Sequence, residues 1–400
     1  MGDLLRWPLP APGGAARSWW LLWSRCPGVG VVRLRQLEAA YGGLDVAWAT
    51  SPEGLAARMG WPAALLADVE RFRGLWGSDP LPRLLREIQG GRGVLVPGDP
   101  RWPAAMASGP RPPLALYWRG RGSLWRPLAA RRAVAVVGTR RPSPHGLAMA
   151  RRIGAQLAAA GWPVVSGLAE GIDGAAHEGC LAAGGAPVGV LGTPLHRVYP
   201  RHHAALQREV GRHGLLVSEL PRGSSVRAGH FASRNRLQVA LAAAVVLVEC
   251  PQRSGALLTA DLAWQQGLPL WVVPADAAKA SAAGSNRLLA RGATPLLAAD
   301  ELIDMLGGPG PLAPARQRTA PVRALSGPVA AEGQGSDARG AWGHRLLQAV
   351  GQGASLEQLT LALGRPGEEL AASLLELELA GVLRAEPGLR WGPTGRDGGG

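Results

Sequence analysis

The run Ala133-Val-Ala-Val-Val137 leads straight into Gly138-Thr-Arg-Arg-Pro-Ser-Pro-His-Gly146, and from His145 to Ala160 the apolar residues recur at helical spacing. A short continuous apolar strand, stopped by glycine and followed by a helix, is the first half of a βαβ unit. The alternation continues downstream. Pro163-Val-Val-Ser-Gly167, Val188-Gly-Val-Leu191, Leu215-Leu-Val217, Val245-Val-Leu-Val248 and Leu270-Trp-Val-Val273 read as further strands. Helical stretches separate them, over 173–183, 201–213, 233–243 and 254–266. Strands that are apolar along their whole length belong to a parallel sheet covered on both faces. With right-handed crossovers, the expected fold is α/β, a Rossmann-like doubly wound and mostly parallel sheet.

Other elements flank this core. Residues 1–90 are expected to form a helical N-terminal domain after a loose, Pro/Gly-rich start over 1–17. In it, Cys26-Pro-Gly-Val-Gly30, followed by Arg33, Arg35 and Leu37, resembles a helix-hairpin-helix turn, although a plain turn between packed helices is favoured. Residues 91–305 make the core, and 74–132 read as a connector rich in Pro and Gly. Residues 306–340, rich in Gly, Pro, Ala and Arg, read as a linker. Residues 341–392 suggest a winged-helix-like domain: Ser355 and Gln358 form a capping box, Leu370, Leu374 and Leu377 mark an apolar face, and Val382–Trp391 a hairpin.

Charge narrows the partners. Lys and Arg number 43 against 29 acids, a formal +14, which suits a polyanion and nucleic acid first. Lys279 is the only lysine, so Arg-rich coding is an alternative source of that balance. From 138 to 236 twelve Arg face five acids (+7), whereas 341–400 carries five Arg and seven acids (−2). The acids Glu368, Glu369, Glu376 and Glu378 fall on the helix that would read DNA in a winged helix, so that domain is expected to meet protein instead. Cys26, Cys180 and Cys250 have neither metal-ligand spacing nor an even count, so no metal and no disulfide framework is expected. Pro8, Pro10 and Pro12 interrupt any signal peptide, and the longest apolar run, Val239–Val248, is half a bilayer span. The expectation is a cytoplasmic protein with no membrane contact.

In a doubly wound sheet, ligands sit beyond the carboxyl ends of the strands. Gly138, Thr139 and Arg140 stand there and open a helix. This is either an anion site or a tight turn with solvated arginines, and its place at the strand end favours the anion site. Ser166 and Gly167 end the next strand, and Asp173 reads first as a helix cap. Phe231, Arg234, Asn235 and Arg236 place an aromatic ring beside two guanidinium groups. That pattern can stack a base and hold phosphates, or seat Phe231 in the core. Arg253, Ser254 and Gly255 open another helix, and Gly284-Ser-Asn-Arg287 a fourth. There is no GxSxG elbow, no Walker A and no obvious paired carboxylates, so the motifs offer binding loops without a catalytic group and imply no cofactor.

Taken together these motifs resemble the DNA-processing protein A (DprA/Smf) family. Pro97-Gly-Asp-Pro100 with Trp102-Pro103, Gly138-Thr-Arg140, Ser166-Gly-Leu-Ala169 with Gly171-Ile-Asp173, Leu191-Gly-Thr193, Val198-Tyr-Pro200, Ser218-Glu219, Phe231 with Arg234-Asn-Arg236, Arg253-Ser-Gly-Ala256 and Gly284-Ser-Asn-Arg287 follow in the family's order over about 97–300. The resemblance implies non-sequence-specific binding of single-stranded DNA, with no established catalytic activity. It also implies protection of incoming strands and loading of the RecA recombinase during natural transformation, by a homodimer. By motif, Arg140 and the Phe231–Arg236 segment fall on the DNA pocket. The sequence departs from the pattern at Pro194-Leu-His196, His203 and Ala275.

Two other readings compete. A Rossmann-like nucleotide phosphoribohydrolase, similar to the lysine-decarboxylase-like group, would need a P-G-G-x-G-T loop. Arg253-Ser-Gly-Ala-Leu-Leu-Thr259 stands there instead. A transcription regulator acting through the winged helix is disfavoured by the acidic helix.

Overall fold

The computed structural model describes residues 14–88, 93–109, 111–313, 336–351, 353–379, 382–386 and 390–393. The chain divides into two units, 1–323 and 324–400. The first is built on one sheet of nine strands: β1 (Gly93–Leu95), β2 (Leu116–Gly120), β3 (Val134–Val137), β4 (Val164–Ser166), β5 (Pro187–Val190), β6 (Leu215–Ser218), β7 (Ala244–Leu247), β8 (Leu270–Val272) and β9 (Thr294–Pro295).

Their order is β1-β2-β6-β5-β4-β3-β7-β8-β9. From β6 to β9 every neighbour is parallel, with Val134 of β3 in register with both Val164 and Ala244. β2 and β1 add an antiparallel edge on β6. All six strands read from the sequence are present within two residues of their expected ends. The connector over 74–132 is a correction: it carries β1 and β2. Pro112, Pro113 and Gly120 frame β2 so closely that its apolar run looks like a loop, and β1 and β9 are too short to show a period.

Burial on both faces explains the uniformly apolar strands. In β3, Ala135 and Val137 face one core and Val134 and Val136 the other; in β7, Val245 and Leu247 oppose Ala244 and Val246. Helices Ala228–Leu241 and Gly255–Gln265 cover the first face, and Pro144–Ala159 and Ile172–Ala182 the second. Helices between Gly14 and Ile88 bury Trp20, Trp23, Trp48 and Phe72 in a third cluster, which is continuous with Leu168, Leu191 and Leu216 of the sheet unit.

The strand order reverses at β3. The chain runs outward through β4, β5 and β6, then returns to β7 on the other side of β3. The loops after β3 and β7 therefore leave in opposite directions and open a crevice between them.

Residues 306–313, assigned above to the linker, lie along the turn after the helix Pro144–Ala159: Gly310 N donates to Ala160 O at 2.7 Å and Trp162 Nε1 to Gly308 O at 3.0 Å. Of the expected loose start over 1–17, residues 1–13 lie outside the described residues, and Gly14–Arg17 are a correction, since they open the helix Gly14–Trp23; of the expected linker, 314–335 lie outside them, and 336–340 belong to the helix Ser336–Val350. The second unit has helices Ser336–Val350, Leu356–Leu363 and Gly367–Leu379 and a three-stranded antiparallel sheet. Its capping box joins Ser355 and Gln358, and Leu346, Leu359, Leu370 and Leu374 fill its core.

All three cysteines are free and buried, and burial pushes each thiol up to about 12. Among the described residues no group of side chains could hold a metal, and no helix is long and apolar enough to cross a membrane.

Candidate nucleic-acid interface

The crevice holds a cavity of about 530 Å³. Its walls come from the loop after β3 (Gly138, Thr139, Arg140, Arg141), the helix Ala228–Leu241 (Phe231, Arg234, Asn235, Gln238) and the loop after β7 with its helix (Arg253, Ser254, Gly255, Thr259); Asp173 and Ser281 also line it. Three segments far apart in sequence thus meet at the switch point of the sheet.

The rim is positive. Arg140, Arg141 and Arg253 are exposed. The Arg140 guanidinium lies 5.8 Å from the centre of the Phe231 ring, which in turn packs on Tyr199 at 4.8 Å. The two rings and the guanidinium form one stacking platform at the mouth. Gly192 is required there, because a Cβ on it would come within 2.8 Å of the Phe231 ring. The motif left Phe231 between core and platform; it is half-buried, with its ring at the mouth.

The phosphate site expected after β3 is filled from within. Ser143 caps the helix Pro144–Ala159 by accepting from Gly146 N at 3.1 Å, and its own hydroxyl donates to Glu249 Oε2 at 2.7 Å. Ser143 N also points at the Glu249 carboxylate, and Lys279 Nζ lies 3.7 Å from it. Burial pushes the Glu249 pKa up, but hydrogen bonds from Ser281 and Ser143 and the charge of Lys279 outweigh it and hold the group below its ordinary value. A carboxylate thus takes the place of the anion at this helix start. The Gly284 site is likewise used internally: Gly284 N and Ser285 N both donate to Cys250 O. At the helix Gly255–Gln265 Ser254 caps by accepting from Ala256 N, Arg253 stands beside the first turn, and no carboxylate of the described residues is seen on it.

Behind the rim, charge is spent on architecture. Arg234 is 5% exposed, and its Nη1 donates to Gly167 O at 2.6 Å and Val190 O at 2.5 Å. One guanidinium thereby ties together the ends of β4 and β5. A side chain on Gly167 would collide with it. Asn235 accepts from Arg234 Nε and donates to Gly255 O, joining the two helices of the cavity. Asp173 does not cap its helix; it is buried and accepts from Gly167 N at 3.0 Å. Burial raises its pKa, against the charge of Arg234 and the N–H groups of Gly167 and Ala169.

Of the residues singled out above, Gly138, Thr139, Arg140, Phe231, Arg234, Asn235, Arg253, Ser254 and Gly255 line this cavity. Ser166, Gly167 and Arg236 do not. Ser166 is fully buried and donates to Val136 O, and Gly167 holds Arg234 from behind. Arg236 points to a separate groove, where it pairs with Glu219 at 2.5 Å and donates from Nε to Arg111 O at 3.0 Å.

The family profile described as DNA recombination-mediator protein A matches residues 93–307. The chain belongs to this family. The "Protein Smf" of a Synechocystis strain is 31% identical over 94% of this chain and 98% of that protein. A "Putative DNA processing protein DprA" of Mycobacterium tuberculosis is 36% identical over 78% of this chain and 79% of its own length. The X-ray structure of DNA processing protein A from Streptococcus pneumoniae is 25% identical, covers 72% of this chain and 96% of its own, and aligns with a TM-score of 0.60. The matched span takes in the whole sheet and every wall of the cavity.

Sequence reasoning passed over Gln238, and it marked Glu249 only as a strand end, Thr259 only within the Arg253–Ala260 helix start and Tyr199 only within the Val198-Tyr-Pro200 motif, without a role at the site. Gln238 carries a legible signal, since it follows Phe231, Arg234 and Asn235 at positions i+7, i+4 and i+3 on one helix face. Glu249 carries none: it is one acid at a strand end, and only the sheet order shows which helix it meets.

Proposed function

We propose that this protein binds single-stranded DNA in the crevice between β3 and β7 and acts as a recombination mediator that hands the strand to RecA. The observation that carries the reading is the pairing, at one cavity mouth, of the Phe231–Tyr199 platform with three exposed arginines and an open helix start. A stacking ring beside guanidinium groups fits unpaired bases on a flexible backbone, whereas a duplex keeps its bases stacked inside. Membership of a family described as recombination mediators supports the same conclusion. Protection of incoming strands during natural transformation, action in the cytoplasm and pairing of two copies are parts of this proposal; two linked crevices would raise affinity through effective concentration. A protein-facing role for a winged-helix-like domain in the second unit belongs to the same proposal and rests on the acids Glu368, Glu369, Glu376 and Glu378 of its helix, which repel phosphate.

The test is fluorescence anisotropy of a labelled oligo-dT, competed by duplex of equal length across a salt series. Tight binding that weakens steeply with salt and resists duplex competition is expected. Equal weak binding of both forms would show that only the net charge is acting and would overturn the proposal.

A further inference from the structure

A second groove lies across the helix that walls the crevice. Along Ala228–Leu241, Phe231 and Asn235 line the crevice while His230 and Arg236 line the groove, so one helix divides the two. The groove is the larger, about 1060 Å³ against about 530 Å³. The N-terminal helices close it: the turn Cys26–Gly30 and the helix Val31–Tyr41 bring Gly30, Val32 and Arg33 to the same groove as Arg111, Pro112 and Pro113, which lead into β2. Its cations are unevenly used. Arg25 pairs with Glu87 at 2.7 Å and Arg236 with Glu219 at 2.5 Å. Among the described residues, Arg33 and Arg111 have no acid partner: Arg33 donates to Gly28 O at 2.6 Å, and Arg111 is exposed, its carbonyl rather than its side chain meeting Arg236. Arg227, at the start of the dividing helix, is exposed and likewise without an acid partner among the described residues. Unmatched guanidinium groups therefore stand at the crevice rim (Arg140, Arg253), on the divide (Arg227) and in the groove (Arg111, Arg33).

We propose that a strand held in the crevice crosses the start of the helix Ala228–Leu241 and continues into this groove, where the N-terminal helices hold its next stretch. This rests on the single-strand reading above. A single strand offers phosphates at regular spacing together with uncharged base faces. The groove answers both, with unmatched guanidinium groups for the phosphates and the apolar surfaces of Trp61, Pro113 and Pro221 for the bases. An acidic peptide would meet the same cations, but only an occupant continuous with the crevice also uses Arg227 on the divide. The turn Cys26–Gly30 then acts as part of a strand-binding wall as well as a join between packed helices.

The experiment varies strand length against groove variants. Anisotropy titrations of the full chain use two oligo-dT probes, of about 4 and about 16 nucleotides, the limits between which single-strand site sizes commonly fall. The double variant Arg33→Gln with Arg111→Gln should bind the long probe about tenfold more weakly, with a salt slope smaller by about 1.4 for two lost phosphate contacts, and bind the short probe as the wild type does. Val32→Glu, which puts a carboxylate at a position 51% exposed and so spares the fold, should weaken the long probe in the same selective way. Arg140→Ala, in the crevice, should weaken both. Circular dichroism checks folding of each variant. Unchanged long-probe affinity in both groove variants, or equal losses for the two lengths, overturns the extended path while leaving strand binding in the crevice in place; unchanged affinity would leave the groove to an acidic peptide. Binding of neither probe by the wild-type protein removes the single-strand reading and the extension with it.

Discussion

Replacing Arg234 with alanine tests whether the most conspicuous arginine of the F-x-x-R-N-R segment holds DNA or holds the protein. The side chain is 5% exposed and donates to Gly167 O, Val190 O and Asn235 Oδ1. Its removal takes a charged donor from two carbonyl oxygens and leaves Asp173 without its nearby cation. Loss of one partner from such a buried charged set costs about 3–5 kcal/mol. Against a typical domain stability of roughly 5–15 kcal/mol, that is a large fraction. Urea unfolding followed by tryptophan fluorescence should show a strongly lowered midpoint. Arg234→Lys should recover only part of it, because an ammonium lacks the planar fork that reaches several acceptors at once. DNA affinity should fall only as far as the folded fraction falls. A folded Arg234→Ala with the wild-type midpoint and lost DNA binding would refute the reasoning and make Arg234 a direct contact.

Three further outcomes follow from the same geometry. Arg140→Ala should leave the urea midpoint within about 0.5 kcal/mol, as for exposed surface changes, while lowering single-strand affinity; the slope of log affinity against log salt should shrink by about 0.7, the value of one lost phosphate contact on a single strand. Arg236→Ala breaks the Glu219 pair and the bond to Arg111 O and should cost about 1.5–3 kcal/mol of stability, as for hydrogen bonds to charged groups, with a smaller loss of affinity than Arg140→Ala in the same titration. His177 is fully buried, and burial, with the charges of Arg234 and His203, pushes its pKa down to about 3. At pH 5 the unfolded imidazole is protonated and the native one is not, so its contribution to stability falls by about 2 kcal/mol between pH 7.5 and pH 5; unfolding curves at the two pH values should show that loss in the wild type and not in His177→Leu.

The fold was legible because each central strand is buried on both faces, which leaves a continuous apolar run such as Val245-Val-Leu-Val248. Composition hid the edge: β2 lies between Pro113 and Arg121, in a stretch whose prolines and glycines look like a connector. The site was legible as a set of strand ends and helix starts, and nine of the twelve singled-out residues do line one cavity. What the sequence cannot supply is direction. Arg234 and Arg236 are two residues apart on one helix, 200° around its axis at about 100° per residue, so one reaches the strand ends and the other a different groove. Nor does sequence tell which helix starts are open. Gly138–Gly146 and Gly284–Arg287 carry the same Gly/Ser/Arg signature as Arg253–Gly255, but their donors are used by Glu249 and Cys250.

The Glu249 carboxylate at the start of the helix Pro144–Ala159 has a consequence for competition inside a cell. In a sheet of this topology, that helix start is the generic seat for the pyrophosphate of a dinucleotide. Here the chain carries its own permanent occupant, and a second anion would meet like charge. A soluble nucleotide therefore meets a carboxylate at the very helix start where a Rossmann-like sheet ordinarily seats its pyrophosphate. The positive charge of the crevice lies instead at the rim, spread over Arg140, Arg141 and Arg253, a layout suited to a chain of phosphates more than to one.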